Sequence, residues 1–291
     1  MTKVLVLGAA VLDIILATDK LPTTGEDVMA DHKQSLVGGC AYNVANVLKA
    51  LEIKADLFAP IGNGTYSSII KNSLVNEGYD ILIEDKSQDN GWNLSLVEKD
   101  GERTFITIPG IETNWKKEWF NNIDIGTYDL IYVSGYELEG ESGNVIIEAL
   151  KGKNDSCKIL FDASPRIGFI DRILVNKLLK IGTIFHSNKS ELQELTGYES
   201  PERGMEYIHA LTGEAVVVTL GKEGCGYLSI EESGIVETQR VRVVDTIGAG
   251  DAHTGGLIAG IVKKLSLKES CALANSVATK VVSCEGGKFK I

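Results

Sequence analysis

Residues 240–265 read RVRVVDTIGAGDAHTGGLIAGIVKKL. An extended β-branched run leads into a turn of glycine and alanine, after which Leu257, Ile258, Ile261, Val262 and Leu265 are spaced for one face of a helix. The turn DTIGAGD (245–251) therefore opens a helix N-terminus. The first amides of a helix lack intrahelical partners, and the helix dipole adds partial positive charge, so together they make an anion site. Gly248, Ala249 and Gly250 carry nothing larger than a methyl group, which lets an anion approach those amides closely. Asp251 follows at once. A carboxylate there could take the proton from a hydroxyl attacking phosphorus, or could merely cap the helix, and spacing alone leaves both readings open. No G-K-[ST] follows the turn, so it is not a Walker A loop, and it lies far from the first strand, where a dinucleotide fingerprint would stand.

Outward from this unit, the runs KVLVLG (3–8), ADLFAP (55–60), DLIYVSG (129–135), KILFD (158–162), GTIFHS (182–187) and AVVVTLG (215–221) are nearly continuous in apolar residues, as strands covered on both faces are. Amphipathic stretches lie between them: Val44, Val47, Leu48 and Leu51, then Ile69, Ile70 and Leu74 ahead of a break at Gly78. The alternation predicts a mostly parallel sheet with helices on both faces and ligands at the carboxyl ends of its strands. Two segments break the rhythm. Residues 14–37, and 91–109 with the hairpin-like WNLSLVEKDGERTFITI, predict a small sheet laid over the site as a lid.

The 291 residues are 44 % hydrophobic, enough for one large domain spanning 1–291. A net charge of −11 offers no basic face for nucleic acid. The opening MTKVLVLGAAVLD has too short an apolar run for a signal segment or a membrane span, so a cytoplasmic protein is expected. Cys40, Cys157, Cys225, Cys271 and Cys284 form no C-x-x-C pair and read as reduced, mostly buried thiols.

DTIGAGD resembles the C-terminal signature of the ribokinase-like, or PfkB, carbohydrate kinases, and further motifs follow in family order. GGCAYNVANVLKAL (38–51) resembles the first signature, with Gly38, Gly39 and Asn43 in sugar-binding positions, and Asp13 matches the acidic sugar ligand. NKSE (188–191) matches an N-x-x-E motif that helps place Mg²⁺ and phosphate, with Glu191 reaching the ion through water; Asn188 and Glu191 would equally make a capping box. TLG (219–221) with Gly224 matches the nucleotide-binding turn, although Thr219 and Gly221 could simply end a strand, and the resemblance adds Asn275 to the nucleotide contacts. It implies a ribokinase-like three-layer α/β/α sandwich with a β-sheet lid. It further implies ATP and Mg²⁺ as cofactors, Asp251 as base, the Gly248–Ala249–Gly250 amides as anion hole, and K⁺ at Asp245 and the Ile247 carbonyl. Departures are Ser164 in DASPR (162–166), where relatives often carry Asn; IGNGTYSS (61–68), in place of G-x-D-x-F-G; and His253, where Phe is frequent. His253 reads as a packed helix residue, with a pH-tuned partner of Asp251 as the alternative, and Arg166 as a phosphate partner.

The acceptor is read as a neutral sugar, since Lys33, Lys99 and Arg103 fall on a loop-like, solvated part of the lid where they could not serve a sugar phosphate. A nucleoside stacked on Trp92, Tyr136 or Phe105 is the alternative. A non-catalytic sugar-binding regulator would be expected to lose Asp251 or the glycines, and an NAD-dependent oxidoreductase to carry glycines that LGAAVLD lacks. Exposed lid edges suggest a homodimer paired through the lids.

Overall fold

The computed structural model describes residues 2–99 and 102–284. The middle of the KDGER turn and the tail after Cys284 lie outside them. Six strands, β1 (Val4–Leu7), β4 (Ala55–Phe58), β9 (Leu130–Ser134), β10 (Lys158–Asp162), β11 (Thr183–Asn188) and β12 (Val216–Thr219), form the parallel body of one sheet. Two antiparallel strands, β13 (Cys225–Leu228) and β14 (Ser233–Val236), extend it to the order β14-β13-β12-β11-β10-β9-β1-β4.

The continuous apolar runs have a direct explanation. Side chains alternate between faces along a strand, and here both faces are dry. Leu5, Leu7, Ile131, Val133, Phe161 and Phe185 belong to one core with helices α3 (Gly140–Leu150), α4 (Arg172–Leu179), α5 (Lys189–Thr196) and α6 (Pro201–Thr212). Val4, Val6, Leu130, Tyr132, Leu160 and Val217 belong to the other, with α1 (Cys40–Ala50), α2 (Thr65–Asn76), α7 (Ala249–Val262) and α8 (Leu267–Val282). Among the described residues no helix is long and apolar enough to cross a membrane.

The two rhythm-breaking segments form the expected second sheet, β3-β2-β7-β8, from β2 (Val11–Thr18), β3 (Ala30–Gly38), β7 (Trp92–Val97) and β8 (Arg103–Ile108). β2 runs antiparallel to β3 and parallel to β7, and β7 pairs antiparallel with β8. A small pair, β5 (Pro60–Ile61) with β6 (Ile83–Glu84), lies beside them in the chain.

Two local readings are corrected, and the extended run before the glycine turn stays unpaired in any sheet. RVRVV (240–244) forms no strand: its residues are exposed, and Val244 donates its amide to the Val282 carbonyl at the end of α8. The edge position it could have taken belongs to β14. Ile69 is 44 % exposed, because α2 turns Ser67, Ile70 and Leu74 inward instead. α7 has no single apolar face: every residue from Ala252 to Gly260 is buried, and Leu265 lies beyond its end, partly exposed.

Burial on all sides requires α7 to be thin. A Cβ on Gly255 would meet Val47 of α1 at 2.6 Å, on Gly256 the Ala274 Cα of α8 at 2.7 Å, and on Gly260 the Ser270 side chain at 2.5 Å. Gly256→Val is therefore expected to cost about 1–3 kcal/mol, an overpacking penalty, read as a lower urea midpoint. Gly250→Ala should leave the midpoint nearly unchanged, since its Cβ meets nothing within 4 Å.

Candidate functional site

The site gathers where the parallel strands end. Asp162 closes β10, Asn188 closes β11 and Thr219 closes β12, and Asn188 and Thr219 are register partners. From the other face of the sheet come two helix N-termini. α1 starts after Gly38–Gly39, and α7 after Gly248, which stands at φ 70°, left-handed backbone that glycine adopts without penalty.

The two helices meet at their first turns. Asn43 Nδ2 donates to Asp251 Oδ2 at 2.7 Å. Burial pushes the Asp251 carboxyl up to about 6; the Asn43 hydrogen bond opposes this, and the like charges of Asp162 and Asp13 add to it. A carboxylate in that range is balanced between holding and releasing a proton near neutral pH. No side-chain cap closes the α7 N-terminus, and the space where a Gly250 side chain would go is open.

Asp13 lies in lid strand β2 opposite Leu36, and Gly38 is bare because a Cβ there would stand 2.0 Å from Asp13 Oδ2. Asn93 of β7 donates to Asp13 Oδ1 at 2.8 Å; burial raises the Asp13 carboxyl, against that bond. A cavity of about 470 Å³ is lined by Asp13, Gly38, Asn43, Ile247 and Gly248 and runs along α1 to Lys49 and Glu77. Five of the expected acceptor-side and turn residues thus share one space.

At the end of β11 the NKSE segment forms the capping box that its sequence allows. Asn188 Oδ1 accepts the Glu191 amide at 2.8 Å, while the Glu191 carboxylate accepts the Asn188 amide at 2.8 Å and its Nδ2 at 2.7 Å, a complete capping box at the start of α5. The donors at this end are oxygens, which suits a hydrated hard cation, and with both Glu191 oxygens engaged its contact would run through water. The T-x-G turn is closed by the Leu220 amide on the Gly224 carbonyl at 2.8 Å. Gly221 faces open space, whereas a Cβ on Gly224 would strike the Val236 carbonyl at 2.0 Å. Asn275 is 6 % exposed and its amide donates to the Val236 carbonyl at 2.8 Å, tying α8 to β14.

His253 is held as a packed residue. Its Nδ1 lies 2.9 Å from His186 Nε2, His186 Nδ1 lies 3.1 Å from Asp162 Oδ1, and Thr254 donates to Asp162 Oδ2 at 2.9 Å. Burial lowers the affinity of His253 for a proton. Arg166 makes a two-pronged pair with Glu139, at 2.6 and 2.8 Å. Ser164 stands at φ 60°, backbone in which Asn is more at ease.

Of the lid cations, Lys33 and Lys99 are exposed as expected and Arg103 is not. Lys99 is exposed and pairs with Asp19, but Arg103 is largely buried and binds Asp245. Of the three aromatics, Trp92 rests on Tyr66 and Phe105 is 54 % exposed. Sequence reasoning missed Glu137, which is buried, accepts the Ala9 amide at 3.0 Å and the Ser134 hydroxyl at 2.5 Å, and is pushed up to about 7 by burial. It also missed Asn93. The YELE run around Glu137 and the alternation of WNLSLV were the available signals.

Over residues 1–291 the chain matches a model of the pfkB family carbohydrate kinases. It is 36 % identical over 290 residues to an uncharacterized sugar kinase, YegV, of Escherichia coli strain K12, covering 98 % of this chain and 90 % of that protein. It superposes on ribokinase from Thermotoga maritima with a TM-score of 0.86 at 23 % identity, over 99 % of this chain and 95 % of that one. Arabidopsis thaliana ribokinase complexed with ribose and ATP gives 0.81 at 22 %, over 98 % and 93 %. These two structures show the ribokinase fold. With a family match along its whole length and that identity to a sugar kinase, the chain belongs to the pfkB family of carbohydrate kinases.

Proposed function

We propose that this kinase moves the γ-phosphate of ATP to a hydroxyl of a neutral sugar, with Asp251 as general base. The observation that carries the reading is the position of Asp251: in the first turn of α7, beside amides that no side chain caps, bonded to Asn43, its carboxyl near 6. Asp13, the Gly38–Gly39 backbone and Asn43 orient the acceptor, offering carboxylate and amide groups to vicinal hydroxyls. The acceptor end of the cavity carries Asp13 and Asn43, and Lys49 at the far end is engaged with the Glu77 carbonyl, which supports an uncharged acceptor. Thr219, Gly221 and Gly224 would hold ATP, and Asn188 and Glu191 would help place its phosphates and, through water, the Mg²⁺ that neutralises their charge. As the acceptor hydroxyl attacks in line, Asp251 takes its proton, and the Gly248–Gly250 amides meet charge on the transferring group. Fixed donors of that kind supply much of the rate in such transfers.

ADP release with Mg·ATP should respond to one member of a panel of ribose, fructose, deoxyribose, 2-keto-3-deoxygluconate, fructose 6-phosphate, adenosine, inosine and pseudouridine. Asp251→Asn should lower kcat by about 10²–10⁴, the usual contribution of a positioned base, while ATP binding by calorimetry stays within about twofold; near-normal turnover would remove the base assignment.

The same carboxyl sets a pH limb. Asp251 must be unprotonated to act, so kcat/KM should rise with pH through about 6 and level off above it. Asn43→Ala removes the bond that lowers the carboxyl and should move that limb to higher pH; a limb that stays in place would separate Asn43 from the base.

Ile106 and Ile108 are exposed on one face of β8 and Phe105 on the other; β8 is an edge strand of the lid sheet, and these exposed apolar residues support pairing of two lids. Sedimentation velocity should give about twice 31.4 kDa, and Ile106→Glu should return the monomer.

A further inference from the structure

Asp245, which opens the anion turn, is 5 % exposed. Its Oδ1 accepts the Ile247 amide at 3.0 Å, and its Oδ2 accepts Arg103 Nη2 at 2.9 Å. Arg103 is the first residue of lid strand β8, 142 positions away in sequence, and its Nη1 is closed off from solvent. The resemblance to ribokinase-like kinases implied a monovalent cation at Asp245 and the Ile247 carbonyl, and the residues present do not fit one. A guanidinium already sits against the carboxylate. It cannot lose its proton, and a second cation on the same group would stand within a few ångströms of a permanent charge in a poorly hydrated place.

We propose that Arg103 is the resident cation of this turn: it stands in for a bound monovalent ion, holds Asp245–Gly250 in the shape that presents its amides, and makes that shape depend on the lid being docked. The pair is well suited to the task. Asp245 Oδ1 pins the backbone at Ile247, one residue before the left-handed Gly248, while Oδ2 is pinned by the lid. Undocking β8 would take the Arg103 guanidinium away from a buried carboxylate, a costly change that the turn would relieve by opening. Arg103 is thus a positioning residue that acts through the turn and touches neither substrate.

The inference rests on the reading of this turn as the anion site, yet its test requires no turnover. Wild-type protein is compared in KCl and in tetramethylammonium chloride at equal chloride, by thermal unfolding and by amide hydrogen exchange of peptides covering 245–250. Arg103→Met and Arg103→Lys are measured alongside, with exchange in the β9–β10 core as the control for folding. The expected result has three parts: the wild-type Tm is the same in the two salts; in Arg103→Met the 245–250 amides exchange on the order of tenfold faster while the core is unchanged; and Arg103→Lys lies between. A saturable, K⁺-specific rise in wild-type Tm would overturn the proposal, and so would unchanged 245–250 exchange in Arg103→Met. Should Asp251→Asn retain turnover, the base assignment falls while these exchange results still decide the role of Arg103.

Discussion

The structure turns on the meeting of two helix N-termini. α1 and α7 approach until Asn43 and Asp251 are 2.7 Å apart, and Gly255 against Val47 allows the approach. α7 reaches that place by giving up a polar face altogether, so that the Asp251 carboxyl is buried at the strand ends while Gly248–Gly250 beside it stay partly open. Dryness is useful to a phosphoryl transfer because charge interactions there are strong. It also has a cost. Asp13, Glu137 and Asp251 are all carboxyls raised by burial. A carboxyl whose folded value exceeds its unfolded one favours the protonated folded state, so stability falls as pH rises from the ordinary carboxylate range toward about 6 to 7 and is flat beyond. The site is kept at the expense of the fold that holds it.

Much of this was legible in the residue order because the strong signals are local. Continuous apolar runs announced strands with two dry faces, and both faces are dry. The glycine turn before Asp251 announced a helix N-terminus, which is where α7 begins. Local pattern failed where a partner decides. RVRVV has strand composition but finds no strand to pair with, since β14 holds the edge. α7 reads as amphipathic from its leucines and isoleucines, yet the glycines between them are also buried, against α1 and α8. Arg103 reads as solvated because it follows a polar hairpin, and only the folded chain brings it to Asp245. His253 shows the same limit: its partner His186 lies 67 positions away, on strand β11.

The polar network behind the site gives the strand ends their rigidity. Asp162 binds both Thr254 of α7 and His186 of β11, so the end of β10 is locked to the helix carrying Asp251. Asn188 and Glu191 lock the next strand end to the start of α5 in the same reciprocal way. Each lock engages its side chains within the protein, and the proposed phosphate site at the start of α7 is built from backbone amides that such locks hold in place. Preorganised dipoles of this kind need no rearrangement at the moment of reaction.

The bare Gly38–Gly39 junction, where β3 of the lid passes into α1, divides the two proposed acceptor ligands between two bodies: Asp13 belongs to the lid and Asn43 to the helix. A sugar bound by both is itself the rivet that joins cover to frame. Its residence time and the lifetime of the covered state are then one quantity. A molecule able to engage Asp13 alone would occupy the enzyme without sealing it, and water, which also accepts phosphoryl groups, would keep its access.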